Sequence, residues 1–403
     1  MIFHGERFIF LKKILSSPWI FLFQNCSKND KFHCQRRIFV SFLAMQFRLG
    51  ELFCGPGGLA CGAFSARSDD SLLSVQHAWA NDFDADSCAT YAKNLCNNDA
   101  QNVICADVRD LNIQNLSPID AFAYGFPCNS FSQVGERQGL ANQKFGSLYW
   151  YGIKILRFFR PQWFLAENVS GIRSAGNNDF QIILNDMRES GYRIFPHLYK
   201  AEQYGIPQTR HRVIIVGIRE DLNIEFQIPD FLPFQKKDIS AKTAFFNIPP
   251  NAPNNEIRIL QKQVLKRLSL IEPGENIWQA ANRMKDKFPP ELMIQTQTKI
   301  SQIYKKLHPL KPAYTVTAAG GGGTSMYHWE NRELTNRERA RLQTFPDDFE
   351  FVGKYASVRK QIGMAVPCTL SKIIVTAILN SFAGIKYPSI AQNISLKFEG
   401  CIL

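Results

Sequence analysis

Ten cysteines, at 26, 34, 54, 61, 88, 96, 105, 128, 368 and 401, include no C-x-x-C pair. No His/Cys cluster has metal-ligand spacing either. Both absences argue against a structural zinc site. Unpaired thiols scattered through a 403-residue chain point to a reducing compartment. Acidic residues are scarce: 35 Asp and Glu face 47 Lys and Arg, a formal net charge of +12. That balance favours a polyanionic partner, either nucleic acid or an anionic membrane surface, and also suits a plain basic protein. No internal repeat and no long low-complexity tract is present, which sets repeat architectures aside.

The first 44 residues lack an apolar run of bilayer length. The stretch from Pro18 to Phe23 is too short, and Glu6, Arg7, Lys12 and Lys13 interrupt what precedes it. A clear small-residue cleavage site is also missing. Met45 opens MQFRLGELFCGPGG, which reads as the start of a first strand. Met45 is therefore taken as the working start, with 1–44 an extension that is either untranslated or without fixed structure.

What is present is a regular alternation. Short apolar runs at 47–53, 77–81, 103–106, 119–124, 163–167 and 213–218 read as strands. Helix-length segments lie near 57–66, 84–97, 147–159 and 178–190. This predicts an α/β fold with a mostly parallel sheet, helices on both faces, and ligands beyond the carboxyl ends of the strands. From about 220 the chain turns irregular, with Pro229, Pro233, Pro249, Pro250 and Pro253, and ends in a tetraglycine loop at 320–323. Residues 220–330 read as a second domain. Residues 331–382 read as a return to the first domain, followed by a tail at 383–403.

Four stretches carry chemistry. Phe53-Cys54-Gly55-Pro56-Gly57-Gly58 closes the first strand with glycines that permit a tight turn and close approach to a ligand. Such turns serve dinucleotides, flavins or plain packing. Asp82, about 25 residues on, suits a ribose hydroxyl, Phe83 suits stacking on an adenine, and Asp107 suits an adenine amino group. Each aspartate is alternatively a helix cap.

Cys128 follows Pro127 at the end of a strand, an address that suits a nucleophile better than a core thiol. Glu167 ends another strand on the same rim. Among apolar neighbours its carboxyl would be raised and could donate a proton; a salt-bridged or capping glutamate is the alternative. In Gln208-Thr209-Arg210-His211-Arg212, residues i, i+2 and i+4 share a face of a strand, so Gln208, Arg210 and Arg212 are expected in one cleft. A solvated strand edge is the other reading.

Together these pieces resemble the DNA (cytosine-5)-methyltransferase family. FCGPGG resembles its S-adenosylmethionine loop, GFPCNSFS its nucleophile loop, ENV its proton donor and QTRHR its arginine pair. Arg332-Glu333-Leu334 through Asp347, and Gln361 to Pro367, resemble its C-terminal blocks. The resemblance implies a Rossmann-like S-adenosylmethionine-dependent methyltransferase domain at 45–219 and 331–382, with a smaller irregular target-recognition domain at 220–330.

It also implies roles. Cys128 attacks C6 of a flipped cytosine, Glu167 protonates N3, Arg212 contacts the base and Arg210 holds phosphate. Phe53, Gly55, Gly57, Gly58, Asp82, Phe83, Asp107 and Pro127 hold S-adenosylmethionine, while Ser132, Asn168 and Gln208 bind substrate. The implied setting is a cytoplasmic, nucleoid-associated bacterial monomer. It acts on double-stranded DNA, away from membranes, beside a separate restriction endonuclease. Met364 departs from the Asn usual in the last block, and Asn129 from a more frequent Gln. Two other readings stand beside this one: an RNA cytosine-5 methyltransferase, which usually carries a Cys-Phe-Thr sequence absent here, and a non-catalytic DNA-binding relative damaged at Met364.

Overall fold

The computed structural model describes residues 44–127, 148–174, 178–294, 301–320 and 323–396. Its centre is a seven-stranded sheet. The strands are β1 (Met45–Leu52), β2 (Leu73–Asp82), β3 (Val103–Cys105), β4 (Ala121–Tyr124), β5 (Trp163–Val169), β6 (Tyr192–Lys200) and, after the two-residue β7 (Gln208–Thr209), β8 (His211–Arg219). Their spatial order is β3-β2-β1-β4-β5-β8-β6. Neighbours from β3 to β5 run parallel, and β8 lies antiparallel between β5 and β6. The chain reverses direction at β1, so β1 and β4 flank the point where a cleft opens at the carboxyl rim.

Helices cover both faces. The helices α1 (Gly58–Phe64), α2 (Ala85–Leu95), α3 (Tyr149–Phe159) and α4 (Asp179–Glu189) alternate with the strands. One core layer joins Phe47, Leu49 and Val216 of the sheet to Leu59 and Ala63 of α1 and to Leu370, Ile374 and Ile378 further on. The opposite layer joins Leu52, Trp79, Phe122 and Tyr124 to Ile153 and Leu156 of α3 and Ile183 of α4.

Residues 220–330 hold β9 (Ile228–Pro229), β10 (Ala313–Tyr314) and short helices α5 (Ala241–Phe245), α6 (Lys262–Ser269) and α7 (Ile277–Met284). A separate small core of Leu268, Ile271, Ile277, Phe288, Ile303 and Tyr327 holds part of this region together. The capping box of Asn276 and Gln279 starts α7.

Three helices follow: α8 (Asn336–Leu342), α9 (Tyr355–Met364) and α10 (Cys368–Ala383). Most of α10 is buried, and it packs on α1. The contact depends on small residues: a Cβ on Gly62 would lie 2.2 Å from the Cys368 carbonyl oxygen. The run Tyr355–Ala383 is apolar enough by composition to cross a membrane, but 72% of its most apolar window is buried in this core. A last strand, β11 (Ser389–Ile390), pairs with β9.

Candidate active site

The rim begins where β1 ends. Phe53, Gly55 and Gly57 all take positive φ, at 55°, 53° and 91°. For a phenylalanine that backbone is strained. Beneath the turn, a Cβ on Gly57 would lie 2.3 Å from Leu95. Above it, a Cβ on Gly55 would meet nothing within 4 Å. The loop is therefore packed below and open on top.

Asp82 holds the loop in place. Its carboxylate accepts from the Gly55 N–H (2.8 Å) and the Asp84 N–H (2.9 Å). Burial pushes this carboxyl up, and those two N–H bonds oppose the shift. Asp84, not Asp82, caps α2 by accepting from Ser87 N–H. Phe83 stands beside it with 67% of its surface exposed, an aromatic ring open to solvent on the rim. An open glycine cradle, a buried carboxylate and an exposed ring fit a nucleoside cofactor.

Asp107 takes the capping position that was one of its two expected readings. It caps the turn that follows β3, and both its oxygens are engaged by Arg109 (2.8 and 2.5 Å). The Arg109 guanidinium holds this carboxyl down to about 2. In this structure the capping alternative describes Asp107 better than an adenine contact.

At the next cleft wall, β4 gives way to Gly125-Phe126-Pro127. Cys128 and Ser132 lie outside the described residues. Glu167 on β5 faces this segment: a Cβ on Gly125 would sit 3.3 Å from Glu167 Oε2. The other carboxylate oxygen pairs with Arg212 Nε at 2.8 Å, and both side chains are nearly buried. The antiparallel register sets Glu167 opposite Ile214 and Val169 opposite Arg212, so the two charges meet on the diagonal. Glu167 is thus a paired carboxylate rather than one isolated among apolar groups. Arg212 is fixed further by donating to the His211 carbonyl (2.8 Å).

A model of the C-5 cytosine-specific DNA methylases matches residues 47–380. The chain belongs to that family. A type II methyltransferase of Brevibacillus brevis, M.BbvI, is 50% identical over 361 residues, covering 86% of this chain and 94% of its own. M.NgoFVII, a type II methyltransferase of Neisseria gonorrhoeae, is 36% identical across 79% of this chain and 82% of its own. A crystal structure of a putative prophage-encoded DNA modification methyltransferase from E. coli superposes with a TM-score of 0.58 at 24% identity, covering 83% of this chain and 99% of its own. The S. pombe Dnmt2 methyltransferase gives 0.56 at 15% identity, covering 84% and 100%; these two likenesses speak to fold alone. The enzyme is a DNA (cytosine-5-)-methyltransferase of the type II restriction–modification class. Family and fold imply S-adenosylmethionine as methyl donor.

Three side chains expected to contact substrate or phosphate are buried in the methylase. Arg210 is 1% exposed. Its guanidinium donates to the carbonyls of Val316 (2.9 Å), Gly363 (3.1 Å) and Ala365 (2.9 Å). Gln208 is fully buried; it donates to Leu342 O and Gln343 Oε1 and accepts from Val316 N–H. The strand breaks at Arg210, between β7, paired with β10, and β8, paired with β5 and β6, so the three side chains do not share one cleft. Asn168 is buried too. It donates to the Phe126 carbonyl (3.1 Å), which ties the segment after β4 to β5.

Sequence reasoning missed Lys360 of α9. Its ammonium pairs with Asp84 (3.0 Å) and lies 5.6 Å from the Phe83 ring centroid. It also missed Glu51 of β1, buried in the sheet, whose carboxyl is pushed well up by burial. Lys360 sits 276 residues from its partner, and no local pattern announces such a contact. Glu51 was visible as a lone acid inside an apolar strand.

Proposed function

We propose that the enzyme methylates C5 of a cytosine flipped out of a specific duplex DNA sequence, through a covalent bond between Cys128 and C6. The Glu167–Arg212 pair beside the Gly125-Phe126-Pro127 lead is the observation that carries this reading. C6 of cytosine is a poor electrophile, and C5 a poor nucleophile, until a nucleophile adds to the ring. Glu167 donates a proton to N3 as the Cys128 thiolate bonds to C6, so the ring never carries the full negative charge. Arg212 orients the Glu167 carboxyl and contacts the base. The methyl group then bonds to C5, a base removes the C5 proton, and the Cys128–C6 bond breaks to restore the aromatic ring. The target atom is buried in the duplex, so the base must leave the stack first.

S-adenosylmethionine, when bound, supplies the electrophilic methyl group. Gly55, Gly57 and Gly58 let its methionine end approach the backbone, Asp82 takes a ribose hydroxyl, and Phe53, Phe83 and Pro127 line the adenine side. Residues 220–330 are proposed as the target-recognition domain, with 45–219 and 331–382 as the catalytic domain. The setting proposed is a bacterial cytoplasm, with the enzyme as a monomer on nucleoid DNA. It shields host DNA from a separate endonuclease of the same specificity.

The test is sequencing of 5-methylcytosine in DNA from a methylation-free host that expresses the full chain. A consistent methylated motif is expected, and Cys128→Ser is expected to abolish it while DNA and S-adenosylmethionine binding persist. Unmethylated DNA from a host containing folded enzyme would overturn the reading.

A further inference from the structure

Three guanidiniums converge on one carboxylate at the junction of α8 and α9. Glu333 is 4% exposed and pairs with Arg339 at 2.8 Å, Arg359 at 3.7 Å and Arg258 at 3.9 Å. Arg339 is fully occupied: it also donates to the Leu334 carbonyl and to the Tyr355 hydroxyl. Arg359 is not. Its Nη2 donates to the Gly320 carbonyl (2.7 Å), while its buried Nε has no hydrogen-bond partner among the described residues. One carboxylate against three guanidiniums leaves two positive charges without a counter-ion among the described residues.

Burial and the neighbouring Arg339 press Arg359 below its ordinary value, the physical sign of that excess. Arg258 stands at the opening of the cluster with about half its side chain exposed. It is not a loose surface cation, because its guanidinium lies over the Tyr355 ring, 4.8 Å from the centroid. The backbone at Gly320 lies directly on Arg359: a Cβ there would sit 2.5 Å from the guanidinium carbon. The cluster therefore borders the point where the glycine-rich segment begins.

We propose that Arg258, backed by Arg359, forms a binding subsite for a backbone phosphate of the DNA duplex. A guanidinium placed over an aromatic ring, beside a second, mostly buried guanidinium that shares its carboxylate, offers a donor fork and a positive field to a phosphodiester. The subsite reads no base, so it positions the duplex rather than selecting its sequence. The inference rests on the DNA-methyltransferase reading and adds a residue outside the family motifs named above.

The test uses the full-length enzyme and a duplex of non-specific sequence, with affinity measured over a series of salt concentrations. For Arg258→Ala the slope of log affinity against log salt is expected to fall by about 1, and affinity at low salt by roughly 10-fold. Arg258→Lys restores most of the slope, and S-adenosylmethionine affinity is unchanged in both. A folded Arg258→Ala enzyme with wild-type slope and affinity overturns the subsite alone. A wild-type enzyme that neither binds duplex nor methylates it overturns the functional reading and the subsite with it.

Discussion

Arg210 and Arg212 lie two residues apart, yet one guanidinium serves three backbone carbonyls and the other a carboxylate and the adjacent His211 carbonyl. Arg210→Ala is expected to strand the buried carbonyls of Val316 and Gly363, while the Ala365 carbonyl keeps its bond from Gln343 Nε2 (2.9 Å). Each unsatisfied group costs about 1–3 kcal/mol, so a loss of roughly 2 kcal/mol or more should appear in the urea midpoint. An enzyme that loses DNA affinity but keeps its midpoint would restore the phosphate role. Glu167→Gln keeps the shape of the Arg212 partner and removes the transferable proton. Single-turnover methyl transfer should fall by roughly 100-fold or more, with S-adenosylmethionine binding retained. Met364→Asn is expected to leave turnover unchanged or raise it, since Met364 is half exposed at the end of α9. A large drop in turnover would contradict this. The positions of the glycine turn, Asp82, Phe83, Glu167 and Arg212 on the sheet rim were legible because each sits at or near a strand end, where the local pattern is informative. The roles of Arg210, Gln208 and Asn168 were not, because their partners Val316, Gly363, Gln343 and Phe126 come from other parts of the chain.

Among the elements, the α1–α10 contact illustrates how closely the fold is packed under the site. Gly62 has the Cys368 carbonyl at 2.2 Å and the Ser371 Cβ at 2.5 Å from where its own Cβ would be. The Cys368 carbonyl, like the Lys372 nitrogen at 2.6 Å, belongs to the α10 backbone, which cannot give way cheaply. Gly62→Ala should therefore cost about 1–3 kcal/mol, visible as a lower thermal midpoint, although alanine is the better helix former. An unchanged midpoint would mean that α10 slides easily. Strands β1 to β5 and β8 were legible as apolar runs, and the first four helices were placed within about two residues of their ends. Strand β6 was not. Its stretch YRIFPHLYK carries Pro196, which argues against a central strand. It is an edge strand, outside β8, where a missing N–H is tolerated. The antiparallel direction of β8 was equally hidden, since strand direction is set by connection and not by composition.

For the whole molecule, the formal charge of +12 pulls toward nucleic acid, but it does not by itself set stability. Two buried imidazoles do contribute. Burial pushes His328 down to about 3 and His197 to about 4, with Arg332 and Lys306 adding to the shift at His328. His328 is stacked against Phe245 and Trp329 and accepts from Glu330 N–H, while His197 is bonded to Asn393. In the unfolded chain an imidazole titrates near 6.5. Between the two values the unfolded state holds a proton that the native state refuses. The stability that each histidine contributes is thus fully present above about pH 6.5 and falls away toward pH 4. Glu51 and Asp82, whose carboxyls are raised by burial, act in the opposite sense. They are unchanged in a His328→Gln variant, so the difference between the two proteins isolates the imidazole. That difference should shrink in the wild type's disfavour by up to about 1.4 kcal/mol per pH unit from near pH 6 down to pH 4. Urea midpoints of both proteins across that range check it. Parallel curves would mean that His328 takes up its proton in the folded enzyme, between Glu330 and Glu338, which approach its ring at 3.5 and 4.0 Å.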